Sequence, residues 1–158
     1  MPVTAPWADE LVAWSRAAAP REACGLVLGS RRSGSVHVAH VTVARNLARC
    51  STSFVVDPDD VVRALALAHA SGWALVGVWH SHVASVAEPS ARDRAEAWPE
   101  LLQVIVGPVD GACGVAVWRV AAQGVVRLRW RGKTIDADDE PTSGLGKLAS
   151  NSDAVLER

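Results

Sequence analysis

The sequence predicts a mixed α/β or α+β domain. Some segments carry apolar residues at helical spacing, while others alternate apolar and polar residues and are rich in valine, as half-buried strands are. The two kinds of segment interleave in the predicted order α-β-β-β-α-β-α-β-β-β. The length of 158 residues is enough for one domain with a sizeable core.

The first predicted element is an amphipathic helix over residues 6–19. Its apolar positions are three or four residues apart, which places them on one helical face: Trp7, Leu11, Trp14 and Ala18. Pro20 follows, and a proline disfavours helical backbone in the residue before it. We therefore expect the helix to end there.

A β-hairpin is predicted next. Residues 24–30 form an apolar run, 31–35 are typical of a turn, and 36–43 alternate. His37 and His40 belong to the second strand, but their odd spacing puts them on opposite faces. We expect surface or edge positions for both histidines, and no role as metal ligands.

Residues 53–56 predict a short strand, and Asp57 begins a second helix that runs to about Ser71. Asp57 is a good N-cap, Pro58 suits the first helical position, and acidic residues follow in the first turn. The apolar face of this helix is predicted to contain Val61, Leu65, Ala68 and Gly72. The apolar run over 73–80 predicts a central strand.

The remainder of the chain predicts one helix, three strands and a tail. The helix spans residues 90–98, and the strands span 101–106, 114–120 and 125–130. From residue 136 the chain is acidic and then contains Pro, Ser and Gly, which is typical of disorder. We expect a folded domain over 1–135 and a mostly disordered polar tail over 136–158, with a short helix over 152–158 as the alternative.

Charge and composition exclude several functional classes. There are 16 basic and 17 acidic residues, so no basic excess indicates binding to nucleic acid or to an anionic membrane. No stretch reaches the roughly 18–20 apolar residues of a membrane span. The N-terminus lacks the basic and apolar regions of a secretory signal. We therefore expect a cytoplasmic protein without nucleic-acid or membrane partners.

The cysteines do not indicate a disulfide framework or a cysteine-based zinc site. Cys24, Cys50 and Cys113 are odd in number and far apart, without a Cys-x-x-Cys pair, which argues against disulfides and a zinc knuckle. A zinc nucleobase deaminase would also need a downstream Pro-Cys-x-x-Cys. Cys24 is interpreted as a small buried residue at the start of a strand, with no catalytic role.

The most informative segment follows the predicted central strand. His80 and His82 are two residues apart, and Ser90-x-x-Asp93 begins after seven more residues. Side chains alternate along a strand, so the two imidazoles point the same way and can share one metal ion. Asp93 can supply a carboxylate as the third ligand. Three protein ligands leave one tetrahedral position for water, as in catalytic zinc sites.

Each part of this pattern also has a simpler interpretation. A His-Ser-His segment alone is more often a pair of satisfied, partly buried histidines. Ser90-x-x-Asp93 alone is typical of a helix N-cap with an acidic residue in the first turn. Capping and metal binding are compatible, because Ser90 can begin a helix from which Asp93 projects. The combination, with the acidic residue Glu22 upstream between a helix and a strand, favours a metal site.

The set Glu22, His80-Ser81-His82, Ser90 and Asp93 resembles the JAMM motif of the MPN-domain metallopeptidases. The resemblance extends over roughly residues 5–132, and the sequences around Glu22 and Asp93 resemble those of short bacterial members. It implies an MPN-like fold, in which a central, mostly antiparallel mixed sheet is flanked by helices.

The resemblance also implies a hydrolytic mechanism. One Zn²⁺ per chain would be held by His80, His82 and Asp93, and would lower the pKa of its bound water. Glu22 would act as the general base and later protonate the leaving amine. Ser90 would donate a hydrogen bond to the tetrahedral oxyanion. The position of the Trp79 side chain, beside these ligands, stays open: it lies either at the edge of the cleft or on the opposite strand face.

The implied substrate is an amide or isopeptide bond at the C-terminus of a ubiquitin-like or sulfur-carrier protein, which would be trimmed to Gly-Gly or would release cysteine. The substrate tail is expected to add as a strand to an exposed sheet edge beside the zinc. Two departures from the family pattern bear on its fit: Val83 stands where many relatives have proline, and Gly107 where serine is frequent.

Two other functions stay open at this point. One is a non-catalytic MPN scaffold or binding module, although such members typically lack part of the ligand set. The other is a metallopeptidase for a different peptide class, such as a cell-wall substrate. The sequence leaves the oligomeric state unknown.

Overall fold

The computed structural model describes residues 5–137. Within this range the chain forms three helices and eight strands: α1 (Pro6–Ala18), β1 (Cys24–Arg32), β2 (Ser35–Ala44), α2 (Pro58–Ser71), β3 (Ala74–Ser81), α3 (Ala91–Ala95), β4 (Leu102–Val109), β5 (Ala112–Ala121), β6 (Gly124–Leu128), β7 (Trp130–Arg131) and β8 (Thr134–Asp136). None of these helices is long and apolar enough to cross a membrane.

The eight strands form one sheet, in the order β6-β5-β4-β3-β1-β2-β8-β7. The strands β3 and β4 are parallel and are joined through α3, while the other neighbouring pairs are antiparallel. The predicted mixed fold, with a mostly antiparallel sheet flanked by helices, is confirmed. The strand β3 lies inside the sheet, between β1 and β4.

The helix α1 closes one face of the sheet. Trp7 and Leu11 are buried and belong to a large apolar cluster with Val27 of β1, Val76 of β3 and Val104 of β4. The spacing of four residues places Trp7 and Leu11 on one helical face, as predicted. This cluster is the main core, and it leaves the opposite face of the sheet to α2, α3 and the functional residues.

The predicted hairpin forms, with longer strands than expected. A two-residue turn at Ser33 and Gly34 joins β1 to β2, and Gly34 adopts a φ of 73° that suits glycine. His40 is exposed and stacks on Trp73 with ring centroids 5.9 Å apart, while His37 is half-buried. Neither histidine belongs to the possible metal-binding group described below.

The predicted strand over 53–56 is wrong. Only an isolated bridge joins Asn46 to Val56. The side chain of Asn46 takes the backbone bonds instead: its Nδ2 donates to Ser53 O at 3.2 Å, and its Oδ1 accepts from Val55 N at 3.0 Å. Two backbone bonds, from Leu47 N to Val55 O at 2.8 Å and from Asp57 N to Arg45 O at 3.0 Å, hold the rest of this short contact, which is no regular strand.

The helix α2 begins and ends as its signals predict, and its buried face overlaps the predicted one in part, since Ala68 is buried and Val61 packs against the same cluster. The Oδ1 atom of Asp57 accepts from Asp59 N at 2.9 Å. Ala64 and Ala68 are buried, whereas Leu65, which we predicted on the apolar face, is 46% exposed. The small alanines allow a close approach of the helix to the sheet, and Leu65 lies beside that contact.

The last third of the chain contains one shortened helix and two strands that the sequence did not predict. The helix α3 ends at Ala95 and not near residue 98, because Pro99 has no N–H for the carbonyl of Ala95 and its ring excludes a helical turn there. The strands β7 and β8 continue the sheet beside β2. Of the predicted tail, Asp136 ends β8, and residues 138–158 lie outside the described range.

Candidate metal centre

Two histidines meet where β3 ends at the centre of the sheet. His80 pairs with Cys24 of β1 and Ile105 of β4, and His82 N continues the ladder by donating to Val106 O at 2.8 Å. The Nε2 atoms of His80 and His82 are 3.0 Å apart. Both side chains are buried on the same face, as the alternation of a strand predicts.

The first turn of α3 brings a carboxylate to the same point. The Oδ2 atom of Asp93 lies 3.2 Å from the Nε2 atom of each histidine. Ser90 forms a capping box: Ser90 Oγ accepts from Asp93 N at 3.1 Å, and Ser90 N donates to Asp93 Oδ2 at 2.8 Å. The capping interpretation and the metal interpretation therefore involve the same carboxylate.

The three atoms suit one metal ion. Their separations are 3.0–3.2 Å, and zinc bonds of about 2.0–2.1 Å at tetrahedral angles place ligand atoms about 3.3 Å apart. The Nδ1 atom of His82 donates to Val86 O at 2.7 Å, so in neutral His82 the Nε2 lone pair is free for a metal. This is the one group of three such residues found among residues 5–137.

The charges within the group are strongly coupled. Burial tends to raise the pKa of Asp93, but hydrogen bonds from His80 and His82 outweigh it and hold that pKa well below its usual range. Burial lowers the pKa of His80. For His82, burial is opposed by the hydrogen bonds to Asp93 and Val86, and the pKa is raised. The site thus keeps an ionised carboxylate beside a neutral imidazole, as divalent metals require.

Glu22 lies two residues before the start of β1, at the same end of the sheet. Ala23 N donates to Ser81 Oγ at 2.8 Å and Ser81 N donates to Ala23 O at 2.9 Å, which ties this segment to the end of β3. Ser81 thus bonds the backbone through both its hydroxyl group and its N–H. Glu22 is 8% exposed, and burial raises its pKa to about 7, with His82 lowering and Asp93 raising it to smaller extents.

Two cavities flank the group. The first, of about 330 Å³, is lined by Glu22, His82, Ser90 and Asp93. The second, of about 340 Å³, is lined by His80, Asp93 and mainly apolar side chains, including Val78 and Trp98. Phe54 lines both cavities and stacks on His80 with ring centroids 4.3 Å apart. The five residues singled out in the sequence therefore line one continuous region.

The predicted docking of a substrate tail on a sheet edge beside the metal stays a prediction, and β3, which carries His80, is not such an edge. The strand β3 is paired on both sides, and the edges of the sheet are β6 and β7. Trp79 points to the opposite face, where its Nε1 donates to Thr42 O at 2.7 Å, and it does not line either cavity.

The two departures from the family pattern lie in this region. Val83 is 47% exposed and lines the first cavity. A Cβ atom at Gly107 would come 3.3 Å from Ser85 O and 3.4 Å from Ala87 N, which is a tight contact. The absence of a side chain at Gly107 therefore lets the loop after His82 lie close to β4.

Several residues around the site carry no signal in the sequence. Asn46 donates from Nδ2 to Glu22 O at 3.0 Å, Gln103 donates from Nε2 to Asp93 O at 3.1 Å, and Trp118 donates from Nε1 to Ala87 O at 2.9 Å. Each contact joins elements that only the tertiary fold brings together. Cys24 is buried, and burial raises the pKa of its thiol to about 12, in agreement with a non-catalytic role.

Comparison with known proteins agrees with this arrangement. The family model described as prokaryotic homologs of the JAB domain matches residues 4–133. A desampylase of Haloferax volcanii is 34% identical over 100 residues, which cover 63% of this chain and 70% of that protein. A desampylase of Pyrococcus furiosus is 29% identical over 86 residues, covering 53% of this chain and 59% of that protein.

Two solved structures are also similar. The solution structure of a Desulfitobacterium hafniense protein has a TM-score of 0.68 and 31% identity, and the match covers 75% of this chain and 83% of that one. The solution structure of a Salinibacter ruber protein has a TM-score of 0.62 and 30% identity, with 91% and 97% covered. The predicted resemblance is confirmed, and this chain belongs to the family of prokaryotic homologs of the JAB domain.

Proposed function

We propose that this chain is a zinc-dependent metallopeptidase that hydrolyses an amide or isopeptide bond at the C-terminus of a ubiquitin-like or sulfur-carrier protein. The observation that carries the proposal is the buried trio of His80, His82 and Asp93, with ligand atoms 3.0–3.2 Å apart beside a carboxyl with a pKa of about 7. The similarity to two proteins named desampylase supports it.

The metal would be held by the Nε2 atoms of His80 and His82 and by Oδ2 of Asp93. When bound, zinc supplies a Lewis acid that makes water acidic enough to act as a nucleophile near neutral pH. The hydrogen bond from His82 Nδ1 to Val86 O and the one from Ser90 N to Asp93 Oδ2 orient two of the three ligands.

Glu22 is proposed as the general base and acid. A catalytic group is most effective when its pKa is near the working pH, and burial raises the pKa of Glu22 to about 7. Its carboxylate can therefore take a proton from the attacking water and return it to the leaving amine. Asn46 and Ser81 bond the C=O and the N–H of the peptide that joins Glu22 to Ala23, which holds the backbone at Glu22.

Ser90 is proposed to stabilise the oxyanion. Its Oγ already accepts from Asp93 N, so its own hydroxyl hydrogen is free to donate. Ser90 is exposed and lines the first cavity with Glu22 and His82. A donor of this kind typically contributes about 100- to 1000-fold to turnover.

The two cavities would bind the two sides of the scissile bond. Glu22, which protonates the leaving amine, lines the first cavity, so we assign the leaving side to it. We assign the acyl side to the second, apolar cavity beside His80. This arrangement fits an extended protein tail that crosses the metal centre.

The test is intact-mass analysis of small carrier proteins that end in Gly-Gly and are extended by cysteine or by a short peptide. The zinc-loaded enzyme should remove the extension directly after Gly-Gly, and the Glu22→Gln variant should not. Cleavage elsewhere in the tail would contradict the proposed bond. No cleavage of any carrier by a chain that binds zinc would favour another peptide class or a non-catalytic role.

A further inference from the structure

Two side chains on neighbouring strands contact the segment that carries the metal ligands. Gln103 of β4 and Trp118 of β5 are register partners. Gln103 Nε2 donates to Asp93 O at 3.1 Å, and Trp118 Nε1 donates to Ala87 O at 2.9 Å. Both bonds therefore run from the sheet to the stretch between His82 and Asp93.

The bond from Gln103 replaces one that α3 is too short to make. In a longer α-helix the carbonyl of Asp93 would accept from the N–H of the residue four positions later. The helix ends at Ala95, before that residue. Gln103 supplies the missing donor, so the backbone of Asp93 is held from the sheet and not by its own helix.

Only one end of the Gln103 amide has a protein partner. Its Oε1 atom is the one buried side-chain nitrogen or oxygen without a hydrogen-bond partner among residues 5–137. A buried unpaired acceptor is unfavourable, and an apolar side chain of the same length would avoid it. The position therefore keeps an amide whose one satisfied group is the donor to Asp93.

The hydrogen bond from Trp118 holds the part of the segment between His82 and Asp93 that lies nearer to His82. Ala87 N donates to Pro108 O at 3.1 Å, so both backbone polar groups of Ala87 are held by β4 and β5. The preceding residue, Val86, accepts from His82 Nδ1 through its carbonyl. Trp118 thus fixes the peptide next to the one that orients the His82 ring.

We propose that Gln103 and Trp118 are positioning residues that hold the Asp93 carboxylate and the His82 imidazole in the geometry required for metal binding. Neither side chain is one of the proposed metal ligands, and both act on those ligands through the backbone of Asp93 and of Ala87. Gln103 also lines the second cavity, so its positioning role is read from zinc affinity and not from KM. The inference rests on the proposed zinc site. Its consequence is that these residues set the metal affinity more than they set the stability of the fold.

The test uses the full chain and two variants that keep side-chain bulk but lose the donor, Gln103→Met and Trp118→Phe. Gln123→Met, at an exposed turn position, is the matched control for the first. Trp130→Phe is the control for the second, because Trp130 Nε1 also donates to a backbone carbonyl, that of Val115 at 3.2 Å, in a different part of the sheet. Zinc affinity is measured by chelator competition, and coordination geometry by the visible spectrum of the Co²⁺-loaded protein.

We expect each test variant to bind zinc about 10- to 100-fold more weakly than the wild type. The Co²⁺ spectrum should change as well. The metal-free Gln103→Met protein should melt near the wild-type temperature, because the substitution removes the unpaired Gln103 Oε1 and also the donor to Asp93 O. Both controls should bind zinc as the wild type does. A merely structural role would instead lower the melting temperature and leave zinc affinity unchanged.

The possible failures are distinguishable. If the wild type itself binds no zinc, the proposed function fails, and this inference fails with it. If the wild type binds zinc and both test variants bind it within about twofold of the wild type, the zinc site stands and the positioning role is overturned. Should Gln103→Met fail to fold, Trp118→Phe decides between these outcomes alone.

Discussion

Adjacent residues of β3, Trp79 and His80, face opposite sides of the sheet and lie in very different surroundings. Trp79 is fully buried, donates to Thr42 O and stacks on Trp14 of α1 with ring centroids 5.9 Å apart. His80 is also buried, but its neighbours are His82, Asp93 and a cavity. One face is filled with apolar side chains, and the other holds buried ionisable groups.

The difference shows how one strand serves both stability and chemistry. Apolar packing on the Trp79 face stabilises the fold in proportion to the area buried. On the His80 face, burial of carboxyl and imidazole groups is unfavourable unless they are paired. The raised pKa of Glu22 is a direct sign of that cost. The packed face holds the strand in place while the polar face keeps groups ready for reaction.

The register of β1 against β3 repeats the contrast. Cys24 pairs with His80, and Gly25 pairs with Trp79. A Cβ atom at Gly25 would come 1.9 Å from Thr42 O and 2.4 Å from Trp79 Nε1, so only glycine lets the indole cross β1 to reach β2. The packed face therefore depends on shape, whereas the polar face depends on chemical groups.

The largest expected effect comes from a substitution that changes only the polar face of the sheet. Glu22→Gln keeps the shape of the side chain but removes the base, so turnover should fall by about 100- to 10,000-fold. Because Glu22 is not one of the proposed ligands, bound zinc should remain at the wild-type level. Cleavage assays and zinc analysis on the same sample check this. Near-normal turnover in this variant would show that another group is the base.

The next largest effect comes from a substitution that changes only the packed face. Gly25→Ala should destabilise the protein by about 3 kcal/mol, because an added methyl group in a closely packed core forces backbone shifts. Gly114→Ala in β5 is the control, since its Cβ would make ordinary contacts of 3.4 Å with Val109. Denaturant unfolding measures both. Equal stability of the two variants would contradict the role assigned to Gly25.

A pH series sharpens the comparison. In the metal-free protein the pKa of Glu22 is raised from 4.5 to about 7. The folded state therefore binds this proton more tightly, and the resulting stability is complete below pH 4.5 and is lost as the pH rises through 7. Glu22→Gln lacks this loss, so its free energy of unfolding relative to the wild type should rise by up to about 3 kcal/mol between pH 4 and pH 8.

Denaturant midpoints of the two proteins at each pH provide that measurement. Other titrating groups are common to both proteins, so the difference between them isolates Glu22. A difference that stays constant with pH would mean that Glu22 ionises as it does in the unfolded chain. A Glu22→Gln protein that is both inactive and more stable at pH 8 would show that the polar face is kept at a cost in stability.

The smallest expected effect concerns the apolar cavity on the polar face. Trp98 is 70% exposed and lines the second cavity. Trp98→Ala should raise KM for a carrier-protein substrate by roughly fivefold, equivalent to about 1 kcal/mol of lost apolar contact, with kcat little changed. Val62→Ala, also exposed but outside that cavity, is the control. Equal KM values for the wild type and Trp98→Ala would show that the acyl side of the substrate does not bind in this cavity.

The parts of the site that follow local rules were predictable from the sequence. Alternation along β3 put His80 and His82 on one face, and the Ser90 capping signal placed Asp93 in the first turn of α3. The sequence left the position of Trp79 open, and the structure places its side chain on the face opposite the cleft. Each rule needs only residues a few positions apart.

The contacts that complete the site could not be predicted in this way. The bond from Trp118 to Ala87 joins residues 31 apart, and the bond from Asn46 to Glu22 joins residues 24 apart. The strand β8 spans only Thr134–Asp136 and is specified by its pairing with β2, far away in the chain. Residues 53–56 have strand propensity, but the Asn46 side chain captures their backbone.

The most direct test of the central claim is the zinc content of the purified chain and of its Asp93→Ala variant, measured by native mass spectrometry. Asp9→Ala, an exposed acid on α1, serves as the control. The account predicts one zinc ion per chain in the wild type and in the control, and almost none in Asp93→Ala. Full zinc occupancy in Asp93→Ala, or none in the wild type, would contradict the assignment of His80, His82 and Asp93 as the metal centre.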